Sequence, residues 1–122
     1  MAQLVLIVDD ESMTRDLLRM MLTPVGYEIC EAEDGEEALQ KIEATPPDIV
    51  LLDVMMPNMD GLTLCHHLRG HQATAQLPII MLSAKTNFNS IEEGLNAGAN
   101  KYLTKPIARK VLLATIQELL GS

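Results

Sequence analysis

Five short apolar runs alternate along the chain with segments of helical periodicity, and this alternation restricts the fold more than any other feature. The runs cover residues 4–8, 27–32, 49–52, 77–82 and 102–103. Those at 4–8 and 49–52 contain no polar residue, as expected of strands that are covered on both faces of a sheet. A strand followed by a helix, repeated five times, predicts a doubly wound α/β domain with a five-stranded parallel sheet and five helices.

The segments between the runs contain apolar residues at helical spacing. In the first segment, over residues 12–23, Met13, Leu17, Met20 and Met21 share one face, which we expect to pack against the sheet. The inward positions expected in the four later helices are Ala38 and Ile42, then Leu64, Cys65 and Leu68, then Ile91 and Leu95, then Leu112, Ile116 and Leu119. The last of these helices is predicted over residues 107–120.

Length and composition fit one globular domain over residues 1–122, and we expect no output domain within this chain. The sequence is 48% hydrophobic and 21% charged, as in ordinary globular proteins. Its net charge of −8 and its two tyrosines and one phenylalanine, without tryptophan, argue against nucleic-acid binding. No apolar run approaches the roughly 20 residues of a membrane span, and no secretory leader opens the chain. We therefore expect a cytoplasmic protein.

Polar side chains follow four of the predicted strands, at the point where each strand ends. Asp9 and Asp10 follow the first strand, Asp53 the third, Ser83 the fourth and Lys105 the fifth. Because the carboxyl ends of parallel strands lie along one edge of a sheet, these five side chains are expected to converge there. Any one of them alone is more often a turn or cap residue. Five of them at four strand ends indicate a functional site.

The chemistry of this set is specific. Neighbouring carboxylates repel one another and favour binding of a hard divalent cation such as Mg²⁺, which takes a few carboxylates together with water. With that repulsion relieved, one carboxylate is able to attack a phosphoryl group and form an acyl phosphate. Lys105 supplies a mobile positive charge for phosphoryl oxygens, and Ser83 supplies a hydroxyl donor.

The chain resembles the receiver domain of response regulators, the phosphoryl-accepting module of two-component signalling. The resemblance is carried by IVDD at 7–10, AEDG at 32–35, PDIVLLD at 47–53, MPNMDG at 56–61, PIIMLSA at 78–84, AGA at 97–99 and YLTKP at 102–106. These motifs cover essentially the whole chain, and their order and spacing together are specific. The resemblance implies a flavodoxin-like fold with strand order 2-1-3-4-5.

The resemblance also implies roles for the acidic residues. Asp53 would accept a phosphoryl group from a histidine kinase or a histidine-phosphotransfer protein. Asp10 would bind Mg²⁺ directly and Asp9 mainly through water, the backbone carbonyl of Met55 would complete the protein ligands, and Mn²⁺ would be a substitute ion. The chain would then act only in its own phosphotransfer and autodephosphorylation, and not as an enzyme on other substrates.

The same resemblance assigns the remaining polar groups. Ser83, which stands where threonine is also common, and Lys105 would hold the phosphoryl oxygens. Tyr102 would be the switch residue, turning inward when Ser83 is drawn to the phosphate. The peptide bond between Lys105 and Pro106 would be cis, an isomer that is costly except before proline.

Partners follow from the resemblance and from the last helix. A downstream protein target is implied, and in this family the surface of the last two helices and the last strand often serves for homodimerisation or target binding. Val111, Leu113 and Leu120 lie beside the inward stripe of the last helix, and such an apolar excess often marks a partner surface. The alternative is a broad core contact with scattered surface side chains.

Two other functions are considered for the same set of residues. An Asp-nucleophile phosphatase of the dehalogenase-like group would place a second acid two residues after Asp53, where this chain has Met55. A single-domain phosphorelay intermediate would use the same site as a receiver domain and differ only in its partners.

Two positions that flank the site predict a long-lived phosphorylated state. Met55 follows Asp53 by two residues and Lys85 follows Ser83 by two, and neither side chain is able to act as a general base toward water.

Overall fold

A computed structural model describes residues 2–56 and 59–121 of the chain. The strands are β1 (Leu4–Val8), β2 (Glu28–Ala32), β3 (Ile49–Asp53), β4 (Ile79–Ser83) and β5 (Lys101–Thr104). The helices are α1 (Ser12–Leu22), α2 (Gly35–Ala44), α3 (Gly61–Arg69), α4 (Phe88–Asn96) and α5 (Arg109–Leu120), with short 3₁₀ turns at Thr23–Val25 and Gln72–Thr74. Each predicted element is therefore present, and where a range was predicted its ends differ from the structure by at most two residues.

All five strands form one sheet in the order β2-β1-β3-β4-β5, and every neighbouring pair is parallel. This arrangement confirms the predicted doubly wound α/β fold. The chain steps outward from β1 to β2, returns past β1 to β3 and then continues in the opposite direction. The strand order thus reverses between β1 and β3, and open parallel sheets bind their ligands at the carboxyl edge beside such a reversal.

Successive residues of each strand face opposite sides of the sheet, and this alternation divides the core in two. On one side, Leu6, Val8, Val50, Leu52, Ile79 and Met81 pack with residues of α2 and α3. On the other side, Val5, Ile7, Ile49, Leu51, Ile80 and Leu82 pack with residues of α1 and α5. Every residue of β3 and β4 is buried, as the unbroken apolar runs predict for strands with helices on both faces.

The inward face predicted for α1 is wrong except at Met21, which is partly buried against the core. Met13, Leu17 and Met20 are 82%, 53% and 69% exposed, whereas Leu18 and Leu22 are buried against the sheet. The helix has apolar residues on two adjacent stripes, and periodicity alone does not say which stripe faces the sheet. The structure therefore leaves an apolar stripe of α1 on the surface.

A second correction concerns α4. Leu95, predicted to face inward, is exposed, and Ile91 is only half-buried. The fully covered residue of this helix is Gly94, which lies against β4 and β5. In α2, α3 and α5 the predicted inward residues are buried or partly buried, as expected.

The amino end of α3 is held tightly against the end of β3. The Gly61 N–H donates to the backbone oxygen of Val54 at 2.9 Å, and a Cβ on Gly61 would lie 2.5 Å from the backbone oxygen of Asp53. The Asp60 carboxylate caps the helix by accepting from the Thr63 N–H at 2.8 Å. Only glycine allows this approach, which orients the backbone that carries Asp53.

Candidate functional site

The five polar residues predicted to converge do lie together at the carboxyl edge of the sheet. Asp9 and Asp53 are buried at the ends of β1 and β3, Ser83 is buried at the end of β4, and Asp10 is exposed beside them. One carboxylate oxygen from each of Asp9, Asp10 and Asp53 lies within 4.8 Å of the others. The structure thus forms an acidic cluster of three carboxylates, which come from the ends of two strands.

Lys105 enters the cluster from the loop after β5. Its Nζ lies 3.2 Å from Asp9 Oδ2 and 3.4 Å from Asp53 Oδ1. The Lys105 N–H donates to the backbone oxygen of Ser83 at 2.8 Å, which extends the pairing of β4 and β5 by one bond. The peptide bond from Lys105 to Pro106 is cis, as predicted. The ammonium group therefore lies between the two buried carboxylates.

The electrostatics of the cluster favour a less acidic Asp53. Burial, and to a smaller extent the neighbouring Asp9 carboxylate, raise the pKa of Asp53 to about 6, against the opposing effects of Lys105 and the Met55 N–H. Burial alone would lower the pKa of Lys105, but the charges of Asp53 and Asp9 outweigh it and raise that pKa. Three carboxylates against one ammonium leave an excess of negative charge at the site.

The donor set fits a hard divalent cation. The three carboxylates supply oxygen atoms close enough together to share one ion, and oxygen donors are the ligands that Mg²⁺ prefers. Two of them are already oriented by the backbone: Asp9 Oδ1 accepts from the Glu11 N–H at 2.9 Å, and Asp53 Oδ1 accepts from the Met55 N–H at 3.4 Å. The acidic cluster is therefore suited to hold the ion with little rearrangement.

A hydrogen-bonded chain leads from the site to β5. The Lys85 N–H donates to Ser83 Oγ at 3.1 Å, and the Tyr102 hydroxyl donates to the Lys85 backbone oxygen at 3.0 Å. Sequence reasoning named Ser83 and Tyr102 but missed Lys85 as the link between them. The link is made by backbone atoms, which are the same in every residue, so no signal in the sequence marks it.

Two adjoining cavities open at the site. One has a volume of about 280 Å³ and is lined by Asp53, Ser83 and Lys105 among others. The second has a volume of about 440 Å³ and is lined by Asp60 and Lys85 among others. Met55 lines both cavities and is largely exposed. The apolar Met55 side chain therefore lies on the access route to Asp53, where a phosphatase would need an acid. Residues 57 and 58 of the motif at 56–61 lie outside the described residues.

A five-stranded parallel sheet of this order defines the flavodoxin-like class of α/β proteins, and in this chain its carboxyl edge carries an acidic cluster. Within that class, a model of the response regulator receiver domain matches residues 5–117. The chain belongs to this family. In residues 2–56 and 59–121, no helix combines the length and apolar character that crossing a bilayer requires.

Similar proteins agree with this assignment. The chain is 45% identical over 116 residues to the response regulator MprA of Mycobacterium tuberculosis, a match that covers 95% of this chain and 50% of that protein. The chain thus spans about half the length of the curated relatives that it matches.

Solved structures of the same fold extend over the whole chain. A putative response regulator from Chloroflexus aurantiacus superimposes with a TM-score of 0.96 at 39% identity and covers 100% of both chains. The chemotaxis protein CheY4 of Vibrio cholerae gives a TM-score of 0.92 at 35% identity, covering 98% of this chain and 100% of its own. The receiver domain of the sensor histidine kinase PA1611 from Pseudomonas aeruginosa, solved with magnesium coordinated in its active site cleft, gives 0.92 at 31% identity with full coverage of both.

Proposed function

We propose that this chain is the phosphoryl-accepting receiver domain of a two-component system and that Asp53 is its phosphoacceptor. The observation that carries the proposal is the position of Asp53: its carboxylate is buried at the end of β3, 3.4 Å from Lys105 Nζ and beside Asp9 and Asp10. A buried carboxylate in contact with an ammonium group, within reach of a cavity that opens to solvent, is suited to nucleophilic attack.

The reaction makes one bond and breaks one. A carboxylate oxygen of Asp53 attacks the phosphorus of a phosphohistidine, a new oxygen–phosphorus bond forms, and the phosphorus–nitrogen bond breaks. The leaving imidazole nitrogen keeps the electron pair. Lys105 and Ser83 hold oxygens of the phosphoryl group, because their ammonium and hydroxyl groups lie at the neighbouring strand ends. With a pKa of about 6, Asp53 is mostly ionised and nucleophilic at neutral pH.

Asp9, Asp10 and Asp53 would hold Mg²⁺, or Mn²⁺ in its place, and the backbone carbonyl of Met55 would be a further ligand. Bound there, the ion supplies positive charge that neutralises the carboxylates and attracts the phosphoryl oxygens. Support comes from the close approach of the three carboxylates and from the magnesium in the similar PA1611 receiver domain. In the absence of the ion, Lys105 provides part of that positive charge through its contacts with Asp9 and Asp53.

The switch would start at Ser83. Its Oγ accepts from the Lys85 N–H, so a turn of the hydroxyl toward a phosphoryl oxygen withdraws that acceptor from the loop after β4. The same loop supplies the carbonyl to which the Tyr102 hydroxyl donates. Movement at Ser83 is therefore transmitted to Tyr102 through one residue, Lys85, and onward to the surface formed by α4, β5 and α5.

A docking surface for the phosphoryl donor is proposed on α1. The exposed stripe of Met13, Leu17 and Met20 begins a few residues after Asp10, so it runs from the site along the helix. Exposed apolar side chains in a row mark partner surfaces, and methionine adapts well to a helical partner. A histidine kinase or histidine-phosphotransfer protein that packs on this stripe would present its phosphohistidine next to Asp53.

A second surface is proposed for output. Exposed Val111 of α5 lines a shallow cavity of about 270 Å³ together with Tyr102 and Pro106. Lys101 of β5 forms an ion pair of 3.2 Å with Glu118 of α5. Because Tyr102 lines this cavity, its orientation changes the surface that a downstream target or a second copy of the chain would contact.

A cytoplasmic location is proposed as well, because free thiols such as those of Cys30 and Cys65 persist in that compartment.

The proposal is tested by incubation with acetyl phosphate and Mg²⁺, followed by measurement of the intact mass and mapping of the modified residue. We expect one phosphoryl group on Asp53 and none in the Asp53→Asn variant. Label that persists in that variant, or that maps to a histidine, would contradict the assignment. Rapid repeated turnover of acetyl phosphate would instead favour the phosphatase alternative, which Met55 at the position of the second acid argues against.

A further inference from the structure

Gly94 is the fully covered residue in the middle of α4, and it faces the ring of Tyr102. A Cβ built on Gly94 would lie 2.8 Å from Tyr102 Cδ2 and 3.1 Å from Tyr102 Cε2. It would also lie 2.9 Å from Met81 Sδ. Carbon atoms do not approach so closely, so the ring occupies the space that any other residue at position 94 would fill.

The glycine is not explained by the helix itself. Glycine is a poorer helix former than alanine, and Gly94 lies inside α4 without the positive φ angle that favours glycine at turns. Its cost to the helix therefore calls for a packing reason, and the Tyr102 ring is the group in contact. Met81 does not account for it equally well, because a methionine side chain is flexible and able to turn aside.

The Tyr102 ring is held at two points. Its hydroxyl donates to the Lys85 backbone oxygen at 3.0 Å, on the loop that carries the signal from Ser83. Its edge rests against the backbone of α4 at Gly94. The ring therefore lies between the loop after β4 and α4, and contacts both.

We propose that Gly94 is a positioning residue of the switch: its missing side chain forms the seat for the Tyr102 ring, so that the ring and α4 move as coupled parts. The coupling to phosphorylation rests on the proposed function, whereas the seat itself is a property of the fold. Any side chain at position 94 would push the ring outward, separate its hydroxyl from Lys85 and leave Asp53, Ser83 and Lys105 in place.

The seat is tested by thermal unfolding of four proteins: the parent, Gly94→Ala, Tyr102→Ala and the double variant. We expect Gly94→Ala to lower the melting temperature by several degrees in the parent and to raise it in the Tyr102→Ala background, where only the flexible end of the Met81 side chain still has to shift and alanine improves the helix. If Gly94→Ala does not fold alone, recovery of folding in the double variant gives the same answer. An equal loss in both backgrounds, or no loss in the parent, would overturn the proposal.

A matched control is Gly70→Ala. Gly70 has a negative φ angle, and the nearest atoms to its added Cβ, two backbone oxygens, lie at an ordinary 3.6 Å. Its effect should therefore be small and should not depend on whether residue 102 is tyrosine or alanine. A change that reverses with Tyr102 in this control as well would show that the reversal is not specific to Gly94, and would overturn the proposal.

Tyrosine fluorescence reports the ring position directly. The chain has two tyrosines and no tryptophan, so a Tyr27→Phe background leaves Tyr102 as the only tyrosine that emits. We expect Gly94→Ala to increase quenching of this emission by acrylamide and to abolish the emission change that acetyl phosphate and Mg²⁺ produce, while Asp53 still takes up the phosphoryl group. Unchanged quenching would contradict the proposed packing of the Tyr102 ring against Gly94. Failure of the parent to take up label would contradict the proposed function alone, since neither unfolding nor quenching requires phosphorylation.

Discussion

The Tyr102 hydroxyl donates a hydrogen bond of 3.0 Å to the backbone carbonyl of Lys85. The N–H of the same Lys85 donates to Ser83 Oγ at 3.1 Å. One residue of the loop after β4 therefore joins the hydroxyl of the site to the aromatic ring on β5. Since Ser83 is buried and Tyr102 is half-buried, the connection runs from the interior to the surface of α4, β5 and α5.

Removal of the Tyr102 hydroxyl should separate phosphorylation from output. In Tyr102→Phe we expect the phosphorylation of Asp53 by acetyl phosphate to be retained, because the hydroxyl does not contact the acidic cluster. The free energy of unfolding, measured in urea, should fall by about 1 kcal/mol or less, the usual net value of one hydrogen bond. The control is Tyr27→Phe. Loss of phosphorylation in Tyr102→Phe but not in this control would contradict the prediction.

Ionisation of Asp53 should destabilise the fold in the absence of Mg²⁺. The pKa of this group rises from 3.8 to about 6 on folding, so the charged form is disfavoured by about 3 kcal/mol. The folded state binds the proton more tightly, so this penalty is fully present above about pH 6 and disappears below about pH 4. Asp53→Asn should therefore be more stable than the parent at pH 8, and this advantage should vanish at pH 4. A difference in melting temperature that does not change between these pH values would contradict it.

Mg²⁺ should stabilise the fold by relieving repulsion among the three carboxylates. Titration of the melting temperature with MgCl₂ should show a rise for the parent and a much smaller rise for Asp10→Ala, which loses a proposed direct ligand. Without the ion, Asp10→Ala should melt at or above the parent temperature because one repelling charge is gone. Glu92→Ala removes an exposed acidic charge of α4 and serves as the control. Equal Mg²⁺ responses of parent and Asp10→Ala would rule out the proposed ligand.

The exposed stripe of α1 should matter for a protein donor only. Substitution of Met13, Leu17 and Met20 by glutamine should slow phosphotransfer from a phosphohistidine-bearing donor protein and leave the reaction with acetyl phosphate unchanged, since the small donor needs no docking surface. The matched control is Phe88→Gln, which removes an exposed apolar side chain from α4. Equal slowing with both donors would point to a general disturbance of the site and not to docking.

The phosphorylated state should be long-lived. Met55 lines the cavity that contains Asp53, Met55 and Lys85 both line the adjoining cavity, and neither residue is able to act as a general base. The double variant Met55→Asn with Lys85→Glu should lose its phosphoryl label faster than the parent in a time course after removal of acetyl phosphate. Equal rates of decay would show that these positions do not control the lifetime.

Much of this arrangement follows from local patterns. The unbroken apolar runs at 4–8 and 49–52 predicted central strands, and both are strands with helices on each side. The polar residues directly after four strands predicted the site, because a parallel sheet brings strand ends to one edge whatever the loops do. The partial failures occurred where a helix has more than one candidate inward face, as in α1 and α4.

By itself the sequence determined the order of strands and helices, the burial of the sheet and the set of side chains at its carboxyl edge, because hydrophobic periodicity and position after a strand are local properties of the chain. Only the tertiary structure decided that Met13, Leu17 and Met20 face outward, that the Lys85 backbone joins Ser83 to Tyr102, and that Gly94 accommodates the Tyr102 ring. Each of these depends on the rotation of a helix or the approach of a loop against the sheet. Such placements are set by the packing of distant side chains, and neighbouring residues in the sequence do not encode them.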